Sequence, residues 1–156
     1  MARIYVADDD ADIRNLLVFS LIEEGHEVLA AKDGRFAMDA ILQEVPDLLV
    51  LDVMMPNLDG FQVLAALDEA GIRSMVRVLI LTARSSEKNR LEGLEKGADL
   101  YLTKPFDPDE FLTVVRDLLS SSEEELIARR EAERDRASLL AQLDAAFTSA
   151  PRSSES

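Results

Sequence analysis

The chain has 156 residues, 47% of them hydrophobic, a formal net charge of -14 and no cysteine. That is enough for one domain with a real core and short for two; disulfides are excluded, and unassisted nucleic-acid binding is disfavoured because phosphates would be repelled. No apolar run approaches the ~20 residues of a membrane span, and the N-terminus lacks a secretion signal's basic start and long apolar core, so the expected setting is a reducing cytoplasm.

From the N-terminus, RIYVA (3–7) reads as a strand. Residues 11–24 place Ile13, Leu16, Leu17, Ser20 and Leu21 at helical spacing, and Gly25 stops that helix. EVLAA (27–31) reads as a second strand, and residues 35–44 as a helix with Phe36, Ala37, Ala40 and Ile41 on one face. DLLVL (47–51) is continuously apolar, as a strand buried on both faces should be. A third helix over 58–69, a strand RVLILT (77–82), a helix over 87–95, a strand LYLT (100–103) and a helix from Pro108 complete a (βα)5 rhythm. That rhythm predicts a parallel sheet covered on both faces.

Ligands of such sheets gather beyond the carboxyl ends of the strands. Asp8 and Asp9 follow the first strand, Asp52 ends the third, Thr82 the fourth, and Lys104 with Pro105 the fifth. Three acids, a hydroxyl and an ammonium therefore converge on one rim. A helix start alone would favour Asp8–Asp10 through its dipole, but it leaves Asp52 unexplained, because a buried carboxylate is costly unless paired or metal-bound.

IYVADDD, DLLVLDVMMPNLDG, VLILTA and GADLYLTKPF, in this order and spacing, resemble the receiver domain of two-component response regulators over residues 1–119. The resemblance implies a flavodoxin-like fold with strand order 2-1-3-4-5, a bound Mg2+, and phosphorylation by a histidine kinase or phosphotransfer protein. It implies Asp52 as phosphoacceptor, Asp8 and Asp9 as the acidic pair for Mg2+, Thr82 and Tyr101 as a switch pair, Lys104 as the phosphate-binding lysine, and a cis Lys104–Pro105 bond. Met54 and Arg84 would flank the path of the hydrolytic water. The chemistry agrees: phosphoryl transfer needs an in-line nucleophile plus positive charge around the equatorial oxygens. Asp9, Asp52 and the Met54 carbonyl can offer Mg2+ three protein oxygens, with Asp8 acting through a water. Asp10 is then helix-start charge, Met55 packing, and His26 an exposed, inert side chain.

The rival readings fail on detail. An EF-hand starting at Asp8 would want glycine at Ile13 and glutamate at Phe19. A haloacid-dehalogenase-like phosphatase would carry its nucleophile on the first strand in a D-x-D-x-T pattern, where Asp12 here occupies the threonine position. A phosphorylation-independent scaffold would not need so complete a rim.

Past the last receiver helix, a 3-4 spacing runs through Leu112, Val115, Leu119, Ser122, Leu126, Arg129, Glu133, Arg136, Leu140, Leu143 and Phe147. It predicts a helical extension over 120–147, a coiled coil if it runs straight into a parallel homodimer, while Ser120–Ser122 before Glu123–Glu125 offers capping boxes for a restart. Residues 148–156 read as a disordered tail. The expected output is contact with a downstream protein, with neither direct nucleic-acid binding nor a membrane; the alternative is a receiver excised from a larger regulator with kinase, cyclase or phosphatase output.

Overall fold

The computed structural model describes residues 1–83 and 98–149. The helix expected over 87–95, and Arg84, lie outside the described residues. Five strands, β1 (Arg3–Ala7), β2 (Glu27–Ala31), β3 (Leu48–Asp52), β4 (Arg77–Ala83) and β5 (Leu100–Lys104), form one sheet in the order β2-β1-β3-β4-β5. Every neighbouring pair is parallel. The helices are α1 (Ala11–Glu23), α2 (Gly34–Gln43), α3 (Gly60–Glu69), α4 (Pro108–Ser120) and α5 (Glu123–Ser149), with a 3-10 turn at Arg73–Met75.

Alternation along the strands builds two apolar layers. Tyr5, Ala7, Leu49, Leu51, Val78 and Ile80 face α2 and α3, where Ala37, Ile41, Phe61, Leu64 and Leu67 meet them. Ile4, Val6, Leu48, Val50, Leu79 and Leu81 face the other way, onto Leu17 and Leu21 of α1 and Phe111, Val115 and Leu118 of α4. Central β3 is buried at every position, which explains its unbroken apolar run. The chain leaves β1 for the edge strand β2 and returns to β3 on the other side of β1, so the topological switch point opens between the C-terminal ends of β1 and β3.

Several boundaries and faces differ from expectation. α3 begins at Gly60 rather than at residue 58, because Asp59 caps it: its carboxylate accepts from the Gln62 amide, and the Gln62 side chain accepts from the Asp59 N–H. Leu16 and Phe36 point outward, each 46% exposed, while Met38 takes the buried place on α2. His26 is half-buried, its Nδ1 accepting from the Ala2 N–H at 3.1 Å; burial, then the nearby N-terminal charge, pulls its pKa down.

Of the two C-terminal readings, a straight run and a restart at Ser120–Ser122, the chain takes the restart. Ser121 adopts an extended conformation (φ -73, ψ 139), its carbonyl accepts from Arg77 at 2.9 Å, and the Ser122 hydroxyl accepts from the Glu125 N–H to start α5. The chain therefore turns, and the foot of α5 docks on the domain. Leu126 is 3% exposed within the α1–α4 layer, a burial worth about 1.5–3 kcal/mol. α5 continues to Ser149, past the start of the expected tail at 148.

Candidate functional site

The rim at the switch point is assembled from four strand ends. Asp8 and Asp9 follow β1, Asp52 is the last residue of β3, Thr82 lies near the end of β4, and Lys104 ends β5. Local structure fixes their directions. Asp10 caps α1, its carboxylate accepting from the amides of Asp12 and Ile13, and so takes no part in the cluster. Asp8 is wholly buried: its Oδ1 accepts from the Asp10 N–H at 2.9 Å, and its carbonyl accepts from Arg14 at 2.8 Å.

Asp8, Asp9 and Asp52 each bring a carboxylate oxygen into a group that spans no more than 4.8 Å. Asp9 is exposed and Asp52 only 6% exposed, so the cluster is open to solvent on one side. Lys104 Nζ reaches Asp8 Oδ2 at 3.1 Å and Asp52 Oδ2 at 3.3 Å. Its burial disfavours the charged form, but Asp52 and Asp8 outweigh that and raise its pKa. Desolvation, then the charge of Asp8, pushes Asp52 up to about 6 against the pull of Lys104 and the Met54 amide. One ammonium is too little for these carboxylates. A divalent cation with oxygen preference fits the deficit.

Thr82 supplies a second sign of fit. It is 3% exposed, and its Oγ1 is buried with no hydrogen-bond partner among the described residues. A buried hydroxyl of this kind costs stability unless something presents an acceptor to it. Met54, 67% exposed beside the cluster, donates its N–H to Asp52 Oδ1 at 3.3 Å. Met55 is buried in the α2–α3 layer, as packing. The Tyr101 ring is half-buried against that layer, and the Lys104–Pro105 peptide bond is cis.

The structure thus brings together Asp8, Asp9, Asp52, Met54, Thr82 and Lys104. Sequence reading missed Arg14, which fixes the Asp8 backbone, and Asp33 and Asn57, which join the loop after Asp52 to the start of α2. Asp33 was legible as a helix cap, since Asp-Gly precedes an apolar-periodic stretch; its bond to Asn57 has no signature in spacing.

A doubly wound parallel sheet with an acidic cluster at its switch point, a lysine paired with it and a buried hydroxyl near the end of the neighbouring strand defines a phosphoacceptor class of signalling domain. The chain belongs to the response regulator receiver family: a family model of the response regulator receiver domain matches residues 4–116. It is 48% identical over 117 residues to the response regulator MprA of Mycolicibacterium vanbaalenii, covering 75% of this chain and 50% of that protein. It is 43% identical over 121 residues to the alkaline phosphatase synthesis transcriptional regulatory protein PhoP of Bacillus subtilis, covering 78% of this chain and 50% of that one. The chain thus spans about half the length of these curated relatives. Among solved structures it resembles the receiver domain of the Francisella response regulator 1452 (39% identity, TM-score 0.70, 76% of this chain and 97% of that one). It also resembles the chemotaxis response regulator CheY4 of Vibrio cholerae (32% identity, TM-score 0.71, 76% and 99%). The chain is a phosphorelay receiver, with the flavodoxin-like strand order expected of it.

Proposed function

We propose that Asp52 accepts the phosphoryl group, delivered by a sensor histidine kinase or a histidine phosphotransfer protein. The observation that carries this reading is the burial of Asp52 beside Asp8, Asp9 and Lys104, at the rim where β4 carries the buried Thr82 hydroxyl. An Asp52 carboxylate oxygen attacks phosphorus as the bond to the donor's imidazole nitrogen breaks, and the imidazole leaves with the electron pair. Lys104, already between Asp8 and Asp52, covers one phosphoryl oxygen as a point charge, and the Thr82 hydroxyl donates to another. Asp9, Asp52 and the Met54 carbonyl would hold Mg2+, Asp8 acting through a water; when bound, the ion neutralises charge on the transferred group. The domain's only chemistry is its own phosphorylation and dephosphorylation, the latter modulated by Met54 and Arg84.

Drawing Thr82 toward the phosphoryl group lets Tyr101 follow inward, which biases a protein-contact surface around residues 83–106. The kinase docks on α1, where Leu16, Phe19 and Ile22 are 46%, 62% and 55% exposed, and on the Pro105–Phe106 loop. The setting is cytoplasmic, and α5 is the element through which two copies associate.

Intact-mass spectrometry after incubation with Mg2+ and acetyl phosphate tests the acceptor. One phosphoryl adduct is expected on the native chain and none on Asp52→Asn. An adduct of equal yield on the variant overturns the assignment.

A further inference from the structure

The rim described above is built from two loops that share no strand pairing of their own. Residues 8–10 leave β1, and residues 53–59 leave β3. Both touch a third element, the turn between β2 and α2 at residues 31–34. The Ala31 carbonyl ends β2 and accepts from the Asp8 N–H at 3.2 Å. Two residues on, Asp33 caps α2: its Oδ1 accepts from the Phe36 N–H at 2.8 Å, while its Oδ2 accepts from the Asn57 side-chain amide at 3.0 Å. Next to it, Gly34 lies so close to the second loop that a Cβ there would stand 1.9 Å from the Leu58 carbonyl oxygen. No side chain fits that contact, because its partner is backbone.

The second loop needs such a hold. Asn57 sits at φ 69, a left-handed conformation that asparagine tolerates but that costs the chain local strain. The loop is tied at its base by the Gly60 N–H on the Val53 carbonyl and turns sharply at its far end, where the Leu58 N–H meets the Pro56 carbonyl. Between these points lies Met54, whose N–H donates to Asp52 Oδ1 at 3.3 Å. Asp33 is 8% exposed, and the Phe36 amide, against the pull of burial and helped by the Asn57 amide, holds its pKa below the usual value. It is a fixed charge engaged on both oxygens.

We propose that Asp33, Gly34 and Asn57 are positioning residues for cation binding, the 31–34 turn acting as a strut that holds the Asp8–Asp9 loop and the Met54 loop at one separation. The inference rests on the Mg2+ reading of the rim. None of the three touches the cation; each acts through the backbone of a loop that does. Outer partners of this kind are worth roughly 10–100-fold in metal affinity when they orient a ligand directly. A strut acting through a loop backbone falls at the lower end of that range.

The test uses the full chain, Mg2+ alone as probe, and titration calorimetry on the unphosphorylated protein, with thermal melting in metal-free buffer beside it. Asn57→Gly keeps the left-handed backbone and deletes the bridge. Asp33→Asn leaves an amide that can cap Phe36 or receive Asn57 but not both. The exchange Asp33→Asn with Asn57→Asp rebuilds the pair with donor and acceptor reversed and the net charge unchanged. Each single variant is expected to weaken Mg2+ binding roughly fivefold to tenfold. It should also slow acetyl-phosphate labelling at low Mg2+, while saturating Mg2+ recovers most of the rate. The exchange should bring affinity back to within about twofold of native. Single variants that melt earlier yet bind Mg2+ like the native chain make the pair merely structural and overturn the inference. So does an exchange that recovers the melting temperature without the affinity. Asp9→Asn separates the two levels: if it leaves Mg2+ binding intact, the ligand reading fails and takes the strut with it, whereas if it abolishes binding and the strut variants do not weaken it, the strut alone is wrong.

Discussion

Two buried aspartates at opposite ends of the sheet are treated in opposite ways. Asp52, at the C-terminal end of β3, shares one ammonium with wholly buried Asp8 and stands beside Asp9. Asp99, just before β5 and 1% exposed, accepts from the Val78 N–H at 2.7 Å, from Arg73 at 3.3 Å and from Arg130 of α5 at 3.3 Å. At the lower end two guanidiniums answer one carboxylate; on the rim, among the described residues, Asp8, Asp9 and Asp52 stand around the one ammonium of Lys104. A carboxylate that is only structural gets its partners from the fold. A carboxylate short of partners among the described residues is open to a cation that binds from outside.

The largest effect should come from the satisfied end. Asp99→Asn keeps the shape but removes the carboxylate charge that the Arg73 guanidinium, 8% exposed, pairs with, and breaking a buried pair in this way costs about 3–5 kcal/mol. Urea denaturation should show that loss as an earlier midpoint at similar slope. A variant as stable as the native chain would mean that the Asp99 cluster contributes nothing and that the contrast is empty.

The rim should behave the other way with a cation added. If Mg2+ binds the folded rim and not the unfolded chain, at a hundredfold excess over its dissociation constant it should stabilise the native protein by about 2.7 kcal/mol. Asp99→Asn should keep that increment, and Asp9→Asn should lose it. Equal stabilisation of the native and Asp9→Asn chains would place the cation elsewhere.

A smaller effect, of opposite sign to the first, is expected for Asp52→Asn in metal-free buffer. The Asp52 pKa rises from 3.8 unfolded to about 6 folded, chiefly by desolvation and then by Asp8. Between those values the folded protein holds a proton that the unfolded chain has lost, so stability falls as pH rises through about 4–6 and is level above. Removing the group should therefore raise stability at pH 7 by about 1–2 kcal/mol after solvent screening, and by almost nothing near pH 4. Melts of both chains across that window check the sign; a variant less stable at pH 7 than the native chain would reverse it.

The rim was legible in the sequence because each of its residues ends a strand, and strand ends can be read from apolar runs. Asp52, Thr82 and Lys104 fall on one edge from their places at the ends of apolar runs alone. The Asp99 cluster was not legible, since Arg73 and Arg130 lie far away in the chain and side-chain pairing over such distances leaves no periodic mark. The bond between Asp33 and Asn57 was hidden for the same reason. The C-terminal seam left two outcomes open, a straight run and a restart, for a different reason. Leu126 satisfies both a heptad and a docked helix foot, and the choice was made by Ser121, whose extended backbone and whose contact with Arg77 turn the chain. Periodicity records which side of a helix is apolar, not what will cover it.

That leaves α5, whose two halves differ much as the two aspartates do. Its foot is held by Leu126, by Arg130 on Asp99 and by Arg129 on Asp117. Beyond it, residues 131–149 extend over roughly 28 Å at 1.5 Å per residue. Leu139, Leu140 and Leu143 there are 56%, 42% and 50% exposed. Short helices are marginal in water on their own, and these exposed leucines form an apolar stripe that a second copy would match. With the foot docked, pairing would fall to this outer half, which makes the expected association weaker than a coiled coil running straight from α4. Sedimentation of the native chain should show a weak, concentration-dependent dimer. Changing Leu139, Leu140 and Leu143 together to glutamine should abolish it without moving the urea midpoint of the receiver by more than about 0.5 kcal/mol, the usual range for exposed positions. Arg130→Ala, which loosens the foot but spares the stripe, should keep the dimer at a cost of about 1 kcal/mol to the monomer. If native and triple-glutamine chains sediment alike as monomers at high concentration, with and without beryllofluoride as a phosphoryl mimic, the outer half of α5 serves some other partner.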